Sequence, residues 1–166
     1  MIPLSDTETT IQLIGFYAGG KLYGVNILTV REILRAQKIV PVENAPPFID
    51  GSVRIRGESI LVINLVKRFD KAYPDDHTGP PWVLIANFDA QPLGFLVDSV
   101  ERIFRISENA ILPAPDLILS GLKSQYIQGV CNTETGMLLV LDLNRMLGAD
   151  QLKVLKKTVV AEAAYQ

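Results

Sequence analysis

The side chains that could carry covalent or acid–base chemistry in this chain are few and scattered. His77 is the only histidine and falls in Lys71–Pro81, a stretch of prolines, aspartates and a glycine. A general base needs a partner within hydrogen-bond reach, and no second histidine or nearby cysteine completes a site around it. Cys131, the sole cysteine, lies in an apolar run and reads as a small core residue that has no internal disulfide partner. Ser120-Gly-Leu-Lys123 matches the SxxK pattern of some acyl-transfer enzymes, but the SDN and KTG elements that accompany it there are missing. Asp75 and Asp76 are adjacent, which suits a solubilising loop better than two carboxylates held at a fixed separation for acid–base work. No GxxxxGK[ST], GxSxG, HExxH or CxxC occurs, so phosphate-loop, hydrolase and zinc chemistry have no motif to start from. No catalytic, metal-binding or cofactor-binding residue is expected. What remains is recognition: Arg56 beside Gly57, with Glu32 as a carboxylate that the planar guanidinium fork could engage.

The elements that would position these residues are short strands. Apolar residues alternate or run in short blocks bounded by turn residues, giving ten candidates. They are Ile11–Tyr17, Leu22–Val25, Val30–Ala36, Ser52–Arg56, Ser59–Asn64, Trp82–Asn87, Leu93–Val97, Val100–Ile106, Tyr126–Asn132 and Met137–Leu141. Gly19-Gly20 joins the first two as a tight hairpin. Leu152, Leu155 and Val159 suggest a C-terminal packing helix with Lys153, Lys156 and Lys157 on its wet face.

The sequence repeats. Phe48–Phe69 superimposes on Tyr126–Leu147 at a constant offset of 78 residues, 48 to 126, with Ile49/Ile127, Gly51/Gly129, Leu61/Leu139, Val62/Val140 and Leu65/Leu143 identical. A second stretch aligns at an offset of 70, 24 to 94, pairing Gly24/Gly94, Val30/Val100, Ile33/Ile103 and Arg35/Arg105. Two β-units of roughly 70 residues would each be marginal alone, so they should share a hydrophobic interface. The expected organisation is a tail over 1–10, a first β-subdomain over 11–70, a connector over 71–81, a second β-subdomain over 82–149 and a C-terminal helix and tail over 150–166. Leu61/Leu139 and Val62/Val140 should occupy equivalent core positions, and Gly51 and Gly129 equivalent turns. One feature breaks the symmetry: the tip Arg54-Ile-Arg56-Gly57-Glu58 is matched by Asn132-Thr-Glu134-Thr-Gly136, with no basic residue. A duplicated scaffold keeps its core in both copies, so a feature of one copy is a candidate for function. Glu32 and Arg56 are expected to lie close together.

Composition excludes other classes. Sixteen Lys+Arg against eighteen Asp+Glu in 166 residues give a net charge of −2, no field to gather nucleic-acid phosphates. Mean hydropathy is +0.24, yet no uncharged apolar stretch approaches the ~18–20 residues of a spanning helix. The start lacks the basic segment of a secretory signal, and a cytoplasmic protein is expected. With so small a net charge, association with a partner should be mostly apolar and tolerate salt.

At these residues the chain resembles CheW-type chemotaxis coupling proteins. The resemblance runs from about Ile11 to Leu147. It is carried by Lys21-Leu-Tyr-Gly-Val25 leading into Val30-Arg-Glu-Ile-Leu34, by Val40-Pro41 with Ala45-Pro-Pro-Phe-Ile-Asp-Gly51, and by Arg56-Gly57-Glu-Ser-Ile-Leu-Val-Ile-Asn-Leu65. Phe95–Val100, Tyr126–Gly129 and Leu139–Leu143 are similar to the family's second half. The resemblance implies an all-β protein with short helices, two SH3-like five-stranded β-barrel subdomains and a C-terminal helix. It implies an adaptor, not an enzyme, bridging the cytoplasmic tips of methyl-accepting chemoreceptors and the regulatory domain of the histidine kinase CheA. Such an adaptor is recruited to membrane-associated arrays without inserting into the membrane. The positions it marks for partner binding are Val30, Glu32, Gly51, Arg56 and Gly57. Asn64 and Val66 stand where Asp and Arg are usual in the family, and Arg54 where Asn is common. A stand-alone adaptor is expected rather than a CheV-like fusion. The alternatives are a paralogous coupling protein of a non-flagellar pathway, such as twitching motility, and a small β-barrel enzyme using the Arg56/Glu32 region with Asp75, Asp76 or His77.

Overall fold

The structure, a computed structural model, describes residues 9–35, 38–45, 47–65, 82–88, 91–115 and 126–146. All ten expected strands are present: β1 Thr10–Ala18, β2 Lys21–Asn26, β3 Val30–Arg35, β4 Ile49–Ile55, β5 Glu58–Asn64, β6 Trp82–Phe88, β7 Gln91–Val97, β8 Ser99–Ser107, β9 Ile127–Thr133 and β10 Gly136–Leu141. They form two five-stranded sheets, in the orders β8-β1-β2-β10-β9 and β3-β6-β7-β5-β4. The first, drawn from both ends of the chain, is called the terminal sheet here, and the second the central sheet. Three short 3-10 turns, Ile27–Thr29, Glu108–Ala110 and Leu143–Arg145, lie among the described residues. The C-terminal helix, most of the N-terminal tail, the 71–81 connector, His77, Asp75, Asp76 and Ser120–Lys123 lie outside them.

The two sheets cut the chain differently from the two sequence repeats: one takes five consecutive strands and the other takes strands from both ends. The central sheet is β3 to β7, Val30 to Val97, so the 71–81 connector falls within its span. The terminal sheet takes β1 and β2 from the first repeat and β8, β9 and β10 from the second. Each repeat has lent its first hairpin to the other. Two reciprocal parallel contacts seal the exchange: β10 to β2 through Val140↔Gly24, and β5 to β7 through Val62↔Gly94. Because Gly24/Gly94 and Val62/Val140 are repeat equivalents, the same pairing is satisfied within one copy or across two. The residue pattern therefore does not choose between them.

The internal symmetry is otherwise kept in detail. In β4 the register slips between Ile49↔Ile63 and Gly51↔Val62, and in β9 between Ile127↔Leu141 and Gly129↔Val140, placing the two glycines at matching β-bulges. Bridges Val40↔Ser52 and Leu112↔Val130 lay an extended segment across each glycine. Leu61 and Leu139 both join the large cluster shared by the two sheets, with Phe16, Tyr23, Phe95 and Tyr126. Val62 turns into the interior of the central unit with Val53, Ile60, Val83 and Ile85, while Val140 turns into the terminal unit with Leu13, Phe104 and Leu138. This follows from strand alternation, which sends neighbours to opposite faces. Fully burying one such side chain contributes about 1.5–3 kcal/mol, and the shared cluster takes such residues from both sheets.

Asn64, at 1% exposure the most buried polar residue described, donates its Nδ2 to the Asp50 carboxylate at 2.9 Å. An aspartate here would bring two carboxylates together. Asn64→Asp is expected to cost about 1–3 kcal/mol at neutral pH. Repulsion raises the folded-state pKa of the coupled carboxylates, so the penalty holds above that pKa and is relieved as pH falls through it. Urea unfolding of both proteins at neutral and acidic pH checks this; an equal loss at both would contradict it.

Candidate functional site

The hairpin between β4 and β5 is closed by two residues, Arg56 and Gly57, between the paired Ile55 and Glu58. Both have positive φ, 49° and 79°, the backbone of a type I′ turn. Glycine takes this conformation freely. An arginine does so at a cost of about 1 kcal/mol, and asparagine would suit the position better. The second copy closes differently: neither Glu134 nor Thr135 has positive φ, and Thr133 Oγ1 donates to the Gly136 carbonyl at 2.7 Å and accepts from its N–H at 3.2 Å.

Arg56 Nη2 donates to Glu32 Oε2, bringing the two expected partners together in an ion pair between the hairpin tip and edge strand β3. Arg56 keeps 68% of its side chain exposed, against 25% for Glu32, so much of the fork faces solvent. A second pair, missed from the sequence, lies alongside: Arg31 Nη2 to Glu58 Oε2 at 3.5 Å. Neighbouring residues on a regular strand point to opposite faces, but β3 slips between Val30↔Ala86 and Glu32↔Ile85, with Arg31 as the extra residue. That bulge lets Arg31 and Glu32 both reach the β4–β5 hairpin. The clue in the sequence was the matched order of signs, Arg31-Glu32 against Arg56-Gly-Glu58.

Val30 and Gly51, also marked by the resemblance, are built into the scaffold. Val30 is half-buried and packs against the shared cluster. Gly51 is buried with φ of 153°, and a Cβ there would meet the Val40 carbonyl oxygen at 2.3 Å, so no side chain fits beneath the crossing segment. Gly51 thereby sets where Val40 lies. Val40, 48% exposed, is one of five exposed large apolar residues among those described, with Leu28, Ile103, Leu112 and Met137.

At the repeat-equivalent end the bulge recurs, between Gly15↔Arg102 and Phe16↔Val100, but the charges are exchanged. Glu101 and Arg102 stand for Arg31 and Glu32, Glu134 for Arg56, and Gly136 for Glu58. Arg102 lies over the Phe104 ring at 4.3 Å. The double ion pair thus belongs to one copy.

The described residues contain no cluster of metal-ligating side chains. Burial pushes the Cys131 thiol up and the Tyr23 hydroxyl up to about 12, the opposite of nucleophile activation. No described helix is long and apolar enough to cross a membrane.

Comparison with known proteins agrees with this arrangement. The chain is 30% identical over 157 residues to the chemotaxis protein CheW of Treponema pallidum, covering 93% of this chain and 92% of that protein. It is 29% identical over 140 residues to CheW of Klebsiella aerogenes, covering 82% and 81%. The crystal structure of the scaffolding protein TtCheW from Thermoanaerobacter tengcongensis superimposes with a TM-score of 0.75 at 26% identity, covering 86% of this chain and 91% of that one. Residues 12–151, spanning both sheets and the paired charges at the β4–β5 tip, match the CheW-like domain, and the chain belongs to that family.

Proposed function

We propose that this protein is a chemotaxis adaptor that couples the cytoplasmic tips of chemoreceptors to the regulatory domain of the histidine kinase CheA. The observation that carries the reading is the match to CheW-like proteins along both sheets of a duplicated scaffold, one copy of which carries two adjacent ion pairs. Arg31, Glu32, Arg56 and Glu58 form a partly exposed group of alternating charge that suits a polar partner surface, while Val40 offers apolar area beside Gly51. The protein acts by holding partners together, with no turnover of its own. Calorimetric titration with a receptor cytoplasmic fragment and, separately, with the CheA regulatory domain tests the reading. Saturable binding to each is expected; failure to bind either defeats it.

A further inference from the structure

The second ion pair, Arg31–Glu58, spans a gap in the central sheet. In the order β3-β6-β7-β5-β4, strands β3 and β4 are the two outer edges, and no ladder joins them among the described residues. The Val40↔Ser52 bridge reaches β4 only from the segment that follows β3. Both ion pairs cross the gap, from Arg31 and Glu32 on β3 to Glu58 and Arg56 at the tip of the β4–β5 hairpin. They tie the two edges together at one end. In the terminal sheet the matching edges are β8 and β9, and there Glu101, Arg102 and Glu134 make no ion pair among the described residues. The two pairs of the central sheet also differ from each other. Arg56 keeps 68% of its side chain exposed, and its bond to Glu32 uses one of the five N–H groups of the fork. Arg31 and Glu58, 3.5 Å apart, are less open at 38% and 45%. Glu58 pairs with Ile55 to close the turn, so what holds Glu58 also holds Arg56 and Gly57 between them. Arg56 sits there with φ of 49°, a left-handed backbone that an arginine leaves readily once its turn loosens.

Building on the adaptor role above, we propose that Arg31 and Glu58 are positioning residues for receptor recognition: their pair holds the hairpin tip against β3, so that Arg56 meets the receptor with its fork already aimed. The four charges thereby divide into two roles. Arg56 and Glu32 face the receptor, and Arg31–Glu58 acts through them. If the receptor draws Arg56 away from Glu32, the other pair keeps the edges of the sheet together. Ordering the tip in advance lowers the entropy lost on binding.

One test needs no receptor. Amide exchange at Glu58, whose N–H closes the turn opposite Ile55, is followed by NMR in the unaltered protein and in Arg31→Gln. The substitution lies on β3, so a change at Glu58 reports the tip across the gap. Exchange about threefold faster is expected, with the melting temperature nearly unchanged, because so exposed a pair adds little to global stability. Should Arg31→Gln fail to fold, Glu58→Gln replaces it, read at the same amide. The second test is a double-mutant cycle on binding of a receptor cytoplasmic fragment, at concentrations that saturate the weakest variant. Arg31→Gln should weaken binding about three- to fivefold and leave binding of the CheA regulatory domain unchanged, while Arg31→Lys, which keeps the charge, should retain most of the affinity. In an Arg56→Asn background Arg31→Gln should have no further effect, since no fork remains to be aimed. Unaltered exchange at Glu58, a receptor loss of the same size with and without Arg56, or an equal loss of kinase-domain binding overturns the proposal. Failure of the unaltered protein to bind the receptor fragment defeats the adaptor role and this proposal with it, whereas binding that ignores Arg31 defeats this proposal alone.

Discussion

Replacing Arg56 with glutamate is expected to leave the protein folded while weakening its binding to a receptor cytoplasmic fragment by roughly 10- to 100-fold. The side chain is 68% exposed, and an ion pair so open to water contributes only ~0–1 kcal/mol to stability. Its left-handed backbone, with φ of 49°, costs about as much as the pair returns. The arginine is therefore a poor investment for the fold alone, and the second copy closes the same hairpin without one. Arg56→Asn, which relaxes the backbone and removes the charge, should hold or raise the melting temperature and still lose binding. Thermal melts and binding isotherms on the two variants separate the effects. Unchanged binding by a folded Arg56→Glu protein would remove Arg56 from the recognition surface. Global unfolding would show instead that the Glu32 pair is structural.

Gly51→Ala is expected to give the largest loss of stability, about 3 kcal/mol or more. Two costs coincide there: φ of 153°, and a Cβ 2.3 Å from the Val40 carbonyl oxygen, a backbone atom that cannot swing aside. Gly57→Ala meets open space, with nothing within 4 Å, and has only its φ of 79° to penalise it. It should cost about 1 kcal/mol. Urea unfolding of the pair measures the difference. Equal losses would mean that the segment carrying Val40 does not lie across β4 as described, and that Gly51 does not position the apolar part of the surface.

What the sequence made legible follows from how locally each feature is encoded. The strands were readable because period-two alternation and glycine turns are local, and the repeat because both copies preserve Gly51/Gly129 and Leu61/Leu139 at one offset. The start of β4 was read late, at Ser52 instead of Ile49, although the matching strand β9 was read through its own bulge from Tyr126. The exchange of hairpins was hidden. Gly24 and Gly94 present the same small residue to the same valine, so no local preference tells β2 whether to lie beside β5 or β10. The Glu32–Arg56 contact was foreseen from residue chemistry and from its occurrence in one copy. Arg31–Glu58 was not, because β-strand alternation places Arg31 on the wrong face, and only the bulge in β3 brings it round. Asn64, seen at first only as a departure from the family's usual aspartate, is explained by the carboxylate of Asp50 beside it.

The central claim is that one chain holds two partners at once, and a sequential titration tests it most directly. The protein is first saturated with receptor cytoplasmic fragment, and the CheA regulatory domain is then added while complex mass is followed by sedimentation. A complex containing all three components, with the kinase domain binding the loaded adaptor at least as tightly as the free one, is the predicted result. Displacement of the receptor fragment as the kinase domain binds, with no three-component species at any concentration, would contradict it.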